Sequence, residues 1–504
     1  MIKDLKSDYY SAVLLAGIAA VVFFPRLGTP WLWQDEAQTA LVSRSILQYG
    51  VPKGRDNLNS FSQEDGAEFG KDYIWKWHSW LPFYVLAGFF AVFGENTFTA
   101  RLPFCLFGVA TVVLTYFWAK WHWRSRRIAS IAAILLAFWV PFILLARQCR
   151  FYSMSAFFSL LALHSYIRFL EHRKHSTWHF LLSTTLLFHT FHFYACIYLL
   201  CILFHAVFFA RKAIGRVMLL ASGAFFINLP WFIWFSGMHY THGQRDMPKL
   251  LQYLSILGER LWTEAFPLPW LLAVIAGLLY VHRSPAHARE TQKSIGSNLM
   301  LLLIYITANY LAVCAVAPGL HFRYFAPLIA PGCLIAALAI EEIFIFDRML
   351  AVILTAFIIL GQPLGEYIFQ LTHPYPGFTE RVVSYLQLHA KPTDTLLISY
   401  GDLPFKFYTR MRVYGGLTGE DLNQAREADW IILHYKSPNT GVTGRRVYDF
   451  VAKNIPRDKY QAILLDCPDS LWENREDVQM HKFREDPGLP SVILYKRLRL
   501  PNDA

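Results

Sequence analysis

Apolar residues in this 504-residue chain are grouped in long runs rather than in the interrupted patterns of a soluble core. The runs fall near residues 10–25, 80–94, 99–119, 128–146, 151–170, 177–191, 194–210, 217–235, 264–281, 298–317, 324–343 and 349–364. Each is long enough, or nearly so, to cross roughly 30 Å of hydrocarbon as a helix, which predicts about 11–13 crossings. The least regular are 80–94 and the 177–210 stretch, which reads as one long helix or as two short ones parted at Thr190-Phe191-His192-Phe193-Tyr194. After about residue 365 the pattern changes. Phe378 to His389 and Arg446 to Asn454 have helical amphipathicity, while Thr395 to Ser399, Trp430 to His434 and Ala462 to Leu465 read as short buried strands. Helices alternating with strands predict a small soluble α/β domain. The expected organisation is a polytopic α-helical membrane part over 1–364, with 26–79 as its first outer loop, and an α/β domain over 365–504.

Composition agrees with that division. A chain with 55% hydrophobic and 16% aromatic residues and a mean hydropathy of +0.30 is not an ordinary soluble enzyme. The net charge of +11 sits mainly in short loops between apolar runs, where it orients a chain in the bilayer. It therefore points to membrane lipids and phosphates as partners and away from nucleic acid. The basic loops at 120–127, 171–175, 211–216 and 282–293, with Arg348, belong inside, and from residue 99 onward the alternation is regular. That register places the 365–504 tail outside the cytoplasm, on a multi-pass protein of the cell (inner) membrane. With Lys3 and Lys6 also inside, residues 80–98 must start and end outside, or another crossing must lie within 26–79. Residues 10–25 show no small-residue cleavage site and read as a retained anchor. Of the seven cysteines only Cys467 lies in the tail, so no disulfide framework is built there. The tail carries neither a glycine-rich phosphate loop nor zinc-ligand spacing.

Candidate chemistry gathers at the outer ends of the runs. Asp35-Glu36 follows the first run directly, where a solvated loop would explain two charges but a membrane-edge carboxylate is also a frequent reactive group. Trp75-Lys76-Trp77-His78 mixes aromatic and cationic side chains in the manner of an interfacial anchor or a binding edge. Arg147-Gln148-Cys149-Arg150-Phe151-Tyr152 offers two guanidinium groups, for lipid snorkelling or for a forked grip on a ligand phosphate. His189 and His192, three residues apart, read as a buried hydrogen-bonded pair or as part of a metal or acceptor site, although two ligands alone do not define a metal centre. His321-Phe322-Arg323-Tyr324 opens another run and allows the same two readings as Arg150.

As a set, these motifs resemble the polyprenyl-phosphate-sugar-dependent glycosyltransferases of the GT-C type, which include protein O-mannosyltransferases, lipid A aminoarabinose transferases and rhizobial lipopolysaccharide-core galacturonosyltransferases. The resemblance is carried by Asp35-Glu36 followed by Ser43 to Gly50, His78-Ser79-Trp80-Leu81, Phe93-Gly94, Ala100-Arg101-Leu102-Pro103, Arg150 with Tyr152, and Arg323-Tyr324 with Pro327. Ser79-Trp80 stand where the family has Pro-Pro. The resemblance implies an integral-membrane enzyme that moves a sugar from a polyprenyl-phosphate-linked donor to an acceptor hydroxyl on a lipid, glycan or protein at the extracytoplasmic face.

In that reading Asp35 is the base, since a desolvated carboxylate gains proton affinity. Glu36 is a second catalytic group that orients the acceptor or holds a divalent metal cation, with His189 and His192 as further acceptor or metal candidates. Lys76, His78, Arg147, Arg150, Tyr152, Arg323 and Tyr324 face the donor phosphate. Two other classes compete. A lipid-linked-sugar flippase or transporter would use the same arginines but requires polar groups through mid-span, and an envelope assembly protein would use the membrane part merely as an anchor.

Overall fold

The computed structural model of the protein describes residues 2–236, 247–261, 263, 289–317, 319–435, 441–470, 478 and 480–498. The membrane part comprises α1 (Ile2–Phe23), α2 (Gln34–Tyr49), α3 (Leu81–Phe93), α4 (Thr97–His122), α5 (Arg126–Ala137), α6 (Val140–Ala146), α7 (Tyr152–Leu170) and α8 (Ser176–Thr190). It continues with α9 (His192–Phe209), α10 (Ile214–Ser236), α11 (Met247–Arg260), α12 (Arg289–Val316), α13 (Ala326–Phe346), α14 (Arg348–Leu360) and α15 (Leu364–Thr372). Among the described residues five helices are long and apolar enough to cross a membrane, or up to seven if each of two bent pairs counts as one span. The expected run at 264–281 lies outside the described residues.

The two bends have covalent causes. The run at 128–146 divides into α5 and α6 with a 66° change of direction, because Pro141 at the start of α6 has no N–H to continue the ladder of α5. Pro363 does the same between α14 and α15, which are bent by 51°. The 177–210 stretch is two helices, since Phe191 is extended between α8 and α9.

Contacts define two ends of the bundle. At one, Arg126 donates to Asp8 at 2.8 Å, Arg127 pairs with Glu341 at 3.3 Å, and Arg216 meets His172 at 2.9 Å. At the other, Tyr367 donates to the Val22 carbonyl at 2.7 Å and Arg147 donates to the Phe23 and Pro25 carbonyls. α3 begins and ends at this second end. Tyr84 donates to Gly50 O at 2.9 Å, and Thr97, just beyond the helix, meets Tyr408 of the tail at 2.7 Å. Thirteen residues rise only about 20 Å, too little to span the bilayer. α3 is therefore too short to count as a span by itself, and the contacts put both ends of 80–98 at the same end of the bundle, one of the two arrangements that the charge pattern leaves open.

The tail contains α16 (Phe378–His389), β1 (Thr395–Ile398), α17 (Asp402–Tyr408), β2 (Arg412–Gly415), β3 (Trp430–Ile432), α18 (Gly441–Asn454), β4 (Tyr460–Pro468) and β5 (Ser491–Arg497). Its sheet runs β2-β1-β3-β5-β4, with β1 parallel to β2 and β3, and β5 antiparallel to β3 and β4. Val382, Val383 and Leu386 of α16 cover one face of this sheet over Leu396, Ile398, Val413 and Trp430. The tail also closes on the 26–79 segment. Trp31 stacks on Tyr408 at 4.2 Å, Asn59 bonds Met411 O and Val413 N, and Asp65 N–H donates to Leu417 O at 3.2 Å. Gly419, at φ +73°, lies so close to the Asp65 backbone that a Cβ would sit 2.8 Å from it.

If the basic end is cytoplasmic, a reporter active only in the cytoplasm should work when inserted at Arg124 and stay silent when fused after Ala504. The reverse pattern would invert the whole arrangement.

Candidate active site

The first turn of α2 presents Asp35 and Glu36, and successive helical residues point about 100° apart, as 3.6 residues make a turn. Glu36 turns inward. Its carboxylate is fully buried and takes a two-pronged bond from Arg101 of α4, Nε to Oε1 at 2.8 Å and Nη2 to Oε2 at 2.7 Å. The Cys149 N–H adds a third bond to Oε1 at 2.7 Å. Arg101 spends its other N–H groups on the carbonyls of Leu27, Pro30 and Trp31. The pair thus ties together α2, α4, the exit of α1 and the bend before α7.

Asp35 turns toward two arginines. Arg323, in the short 3₁₀ turn Phe322–Phe325, donates to Asp35 Oδ2 at 2.7 Å. Arg150 Nη2 lies 3.8 Å from the same oxygen, while its Nη1 donates to Asp35 O and Thr39 Oγ1. Arg150 is 7% exposed, and its Nε–H is buried without an acceptor among the described residues. Tyr152 stands beside Arg150. Tyr324 lies under the Arg323 guanidinium, 5.5 Å from ring to Cζ, and its carbonyl accepts from Tyr194 at 3.0 Å. His78 is enclosed by Trp75, Phe151 and Phe191. Burial first, and then the Arg150 and His192 cations or dipoles, hold its pKa well below the ordinary histidine value, against a smaller upward pull from Asp35.

Other expected members make their contacts elsewhere, save His192, which lies close enough to His78 to act on its pKa. Arg147 does not join Arg150, because α6 ends at Ala146 and α7 begins at Tyr152, so the two arginines never share a helical face. Instead it caps the end of α1 through Phe23 O, Pro25 O and Arg26 O and covers the Tyr367 ring. Lys76 places its ammonium 4.3 Å from the Trp234 ring. His189 and His192 belong to different helices, the first packed edge-on to Trp231 and the second stacked on Phe235 and near Ser79. The donor set expected for a divalent cation does not fit one: both Glu36 oxygens are engaged by Arg101, the histidines are separated, and no group of three ligating side chains occurs among the described residues.

Sequence patterning did not reveal Gln63 or Glu68, which lie in an aperiodic loop. Gln63 Nε2 donates to Asp35 Oδ1 at 3.2 Å, on the side away from the arginines. Its backbone N–H donates to Glu68, which also accepts from Ser62 Oγ and from Gln38 Nε2. Burial pushes the Glu68 carboxyl up from 4.5 to about 7, against the lowering effect of these bonds.

Comparisons with known proteins bear on the fold. Residues 77–234 match the family model described as dolichyl-phosphate-mannose-protein mannosyltransferase. The chain superposes on the crystal structure of ArnT from Cupriavidus metallidurans in the apo state with a TM-score of 0.63 at 14% identity, covering 96% of this chain and 97% of that one. The same protein bound to undecaprenyl phosphate gives 0.58 at 13% identity, over 96% and 97% of the chains. The Archaeoglobus fulgidus oligosaccharyltransferase in the apo form gives 0.53 at 13%, over 91% of this chain and 69% of that one. A comparison with curated proteins finds no match. The fold is shared with these solved structures, a helical membrane part followed by a C-terminal sheet domain, as expected from the sequence.

Two tests follow from these contacts. Glu36→Gln should act on folding, because it strands a buried guanidinium at a cost of about 3–5 kcal/mol. A lower melting temperature in detergent is expected, and an unchanged melt would contradict the bracing role. The second concerns Glu68. A carboxyl whose pKa rises from 4.5 to about 7 on folding makes the native state bind more protons than the unfolded one. Stability should therefore fall as pH rises between those values, by at most about 3 kcal/mol. Glu68→Gln should flatten that part of the melting-temperature profile.

Proposed function

We propose that this protein is a membrane glycosyltransferase that moves a sugar from a polyprenyl-phosphate-linked donor to the hydroxyl of a lipid, glycan or protein acceptor at the extracytoplasmic face. The observation that carries the reading is the convergence of Arg150 and Arg323 on Asp35, with a buried Arg150 N–H lacking an acceptor among the described residues. Support also comes from the shared fold of ArnT from Cupriavidus metallidurans, solved bound to undecaprenyl phosphate, and from the mannosyltransferase match over residues 77–234.

The chemistry needs two functions from these side chains. As the acceptor oxygen bonds to the anomeric carbon, the bond from that carbon to the donor phosphate oxygen breaks, and its electron pair leaves with the phosphate. Arg150 and Arg323 take up the charge that develops there, and such charge-assisted bonds are among the strongest a site can make. The acceptor proton passes to Asp35. A carboxylate held by two guanidinium groups is a poor base. A phosphate that draws the arginines away frees Asp35, so the base becomes competent when the donor is seated. Neutral His78, between Arg150 and Asp35 in the electrostatic balance, adds no further positive charge and leaves the arginines as the phosphate partners. No step depends on a metal.

The test is transfer from a purified polyprenyl-phosphate sugar in nanodiscs. Asp35→Asn preserves shape and removes proton affinity, so the rate should fall by about 10²–10⁴-fold with little change in the melt. Arg323→Ala should weaken use of limiting donor, since one charged hydrogen bond is worth roughly 1.5–3 kcal/mol. A folded Asp35→Asn protein that transfers sugar at the native rate would overturn the mechanism. It would favour a carrier that binds lipid phosphate without chemistry.

A further inference from the structure

The tail reaches the residue beside Asp35 through a buried ion pair. Lys406 Nζ lies 2.6 Å from Asp402 Oδ2, one turn apart on α17, with both side chains fully buried. The ammonium also donates to Ser60 O at 2.8 Å in the first outer loop. The other Asp402 oxygen, Oδ1, accepts from Gln34 Nε2 at 3.0 Å, and the Leu403 N–H donates to Gln34 Oε1 at 3.1 Å. Gln34 is the first residue of α2 and immediately precedes Asp35. Its amide is thus held at both ends by the tail. Arg44 of α2 adds longer bonds to the carbonyls of Lys406 and Phe407.

We infer that Asp402 and Lys406 are positioning residues that, through Gln34, fix the first turn of α2 and so the placement of Asp35, making the tail a working part of the site. A surface-docking role would not require this arrangement. Two full charges taken out of water are costly, and apolar packing commonly serves stability as well. Here the charges are satisfied by groups that converge on one position of α2. The Ser60 contact also fixes the start of the segment that leads to Gln63, the third partner of Asp35. This inference rests on the reading of Asp35 as the base for its consequence in rate, while its structural content is independent of it.

Two double variants of the full-length protein separate the hydrogen bond from the charges. Asp402→Leu with Lys406→Met removes both charges and the acceptor for Gln34, whereas Asp402→Asn with Lys406→Met removes the charges and keeps an acceptor. Gln34→Leu removes the link from the other side. We expect Asp402→Leu/Lys406→Met and Gln34→Leu to lower kcat by roughly ten- to a hundredfold, the effect of a small misplacement, with the KM for donor changed much less. The Asp402→Asn/Lys406→Met protein should recover most of the rate. Hydrogen exchange of peptides spanning residues 33–38 should be faster in the first two proteins than in the third. That measurement reads the linkage even if the chain transfers no sugar. Native exchange over 33–38 in both Gln34→Leu and Asp402→Leu/Lys406→Met overturns the positioning role. So does equal loss of rate in the two double variants, which would mean that only the charges matter. If the native protein itself transfers nothing while the exchange differs as expected, the proposed reaction fails and the linkage stands.

Discussion

The end of the bundle opposite the basic loops is organised around the Glu36–Arg101 pair. A carboxylate at 0% exposure cannot be left without a partner, and the forked guanidinium with the Cys149 N–H satisfies it completely. Those bonds fix the rotation of α2 about its axis. Once Glu36 faces inward, the helical geometry turns Asp35 toward the bends that carry Arg150 and Arg323. Adjacent acidic residues that look equivalent in the sequence are thereby given opposite tasks. Glu36 holds the frame through Arg101, and Asp35 is presented to the two arginines.

The same frame explains why the site draws on distant parts of the chain. Asp35 and Arg323 are 288 positions apart, yet they meet at 2.7 Å. Each arrives on a segment with its own anchor. The 147–151 bend is attached through Cys149 N–H to Glu36 and through Arg147 to the end of α1. The 3₁₀ turn of Arg323 is attached through Tyr324 O to Tyr194 of α9. Interactions with a charged ligand are strongest when the groups that make them need not be reorganised, and anchoring each bend separately provides that.

Much of this was legible before any coordinates. Continuous apolar runs and loop charges were enough for the helical membrane part, because a span has to satisfy its backbone internally and carry its charges at the ends. The α16 helix and the β1, β3 and β4 strands were visible from periodicity. The strands β2 and β5 were not, because Arg412 and Gly415 break the apolar run of the first and Lys496 and Arg497 end that of the second. At the site, the residue types pointed to Asp35, Arg150 and Arg323, with His78, Tyr152 and Tyr324 beside them, but sequence spacing grouped side chains that the fold separates. A three-residue spacing puts Arg147 beside Arg150, or His189 beside His192, only if the helix is unbroken, and both pairs straddle breaks. Glu36 looked reactive because its partner, Arg101, lies 65 residues away. Gln63 and Glu68 occupy a loop without periodicity, where nothing in the pattern distinguishes a buried polar group from a solvated one.

In the glycosyltransferase reading proposed above, the pairing of Asp35 with the two arginines also keeps the site closed to solvent chemistry between turnovers. Without a competing anion, the carboxylate and the guanidinium groups neutralise each other, so neither a strong base nor an unpaired charge cluster is exposed at the membrane edge. A phosphate exchanges one anion for another at the arginines and alters only the partner of Asp35. Such an exchange costs less than assembling charges from water, because the desolvation of Arg150 has already been met in folding. The low-dielectric setting that makes an isolated charge expensive is then what makes the exchange selective for a ligand that brings its own negative charge.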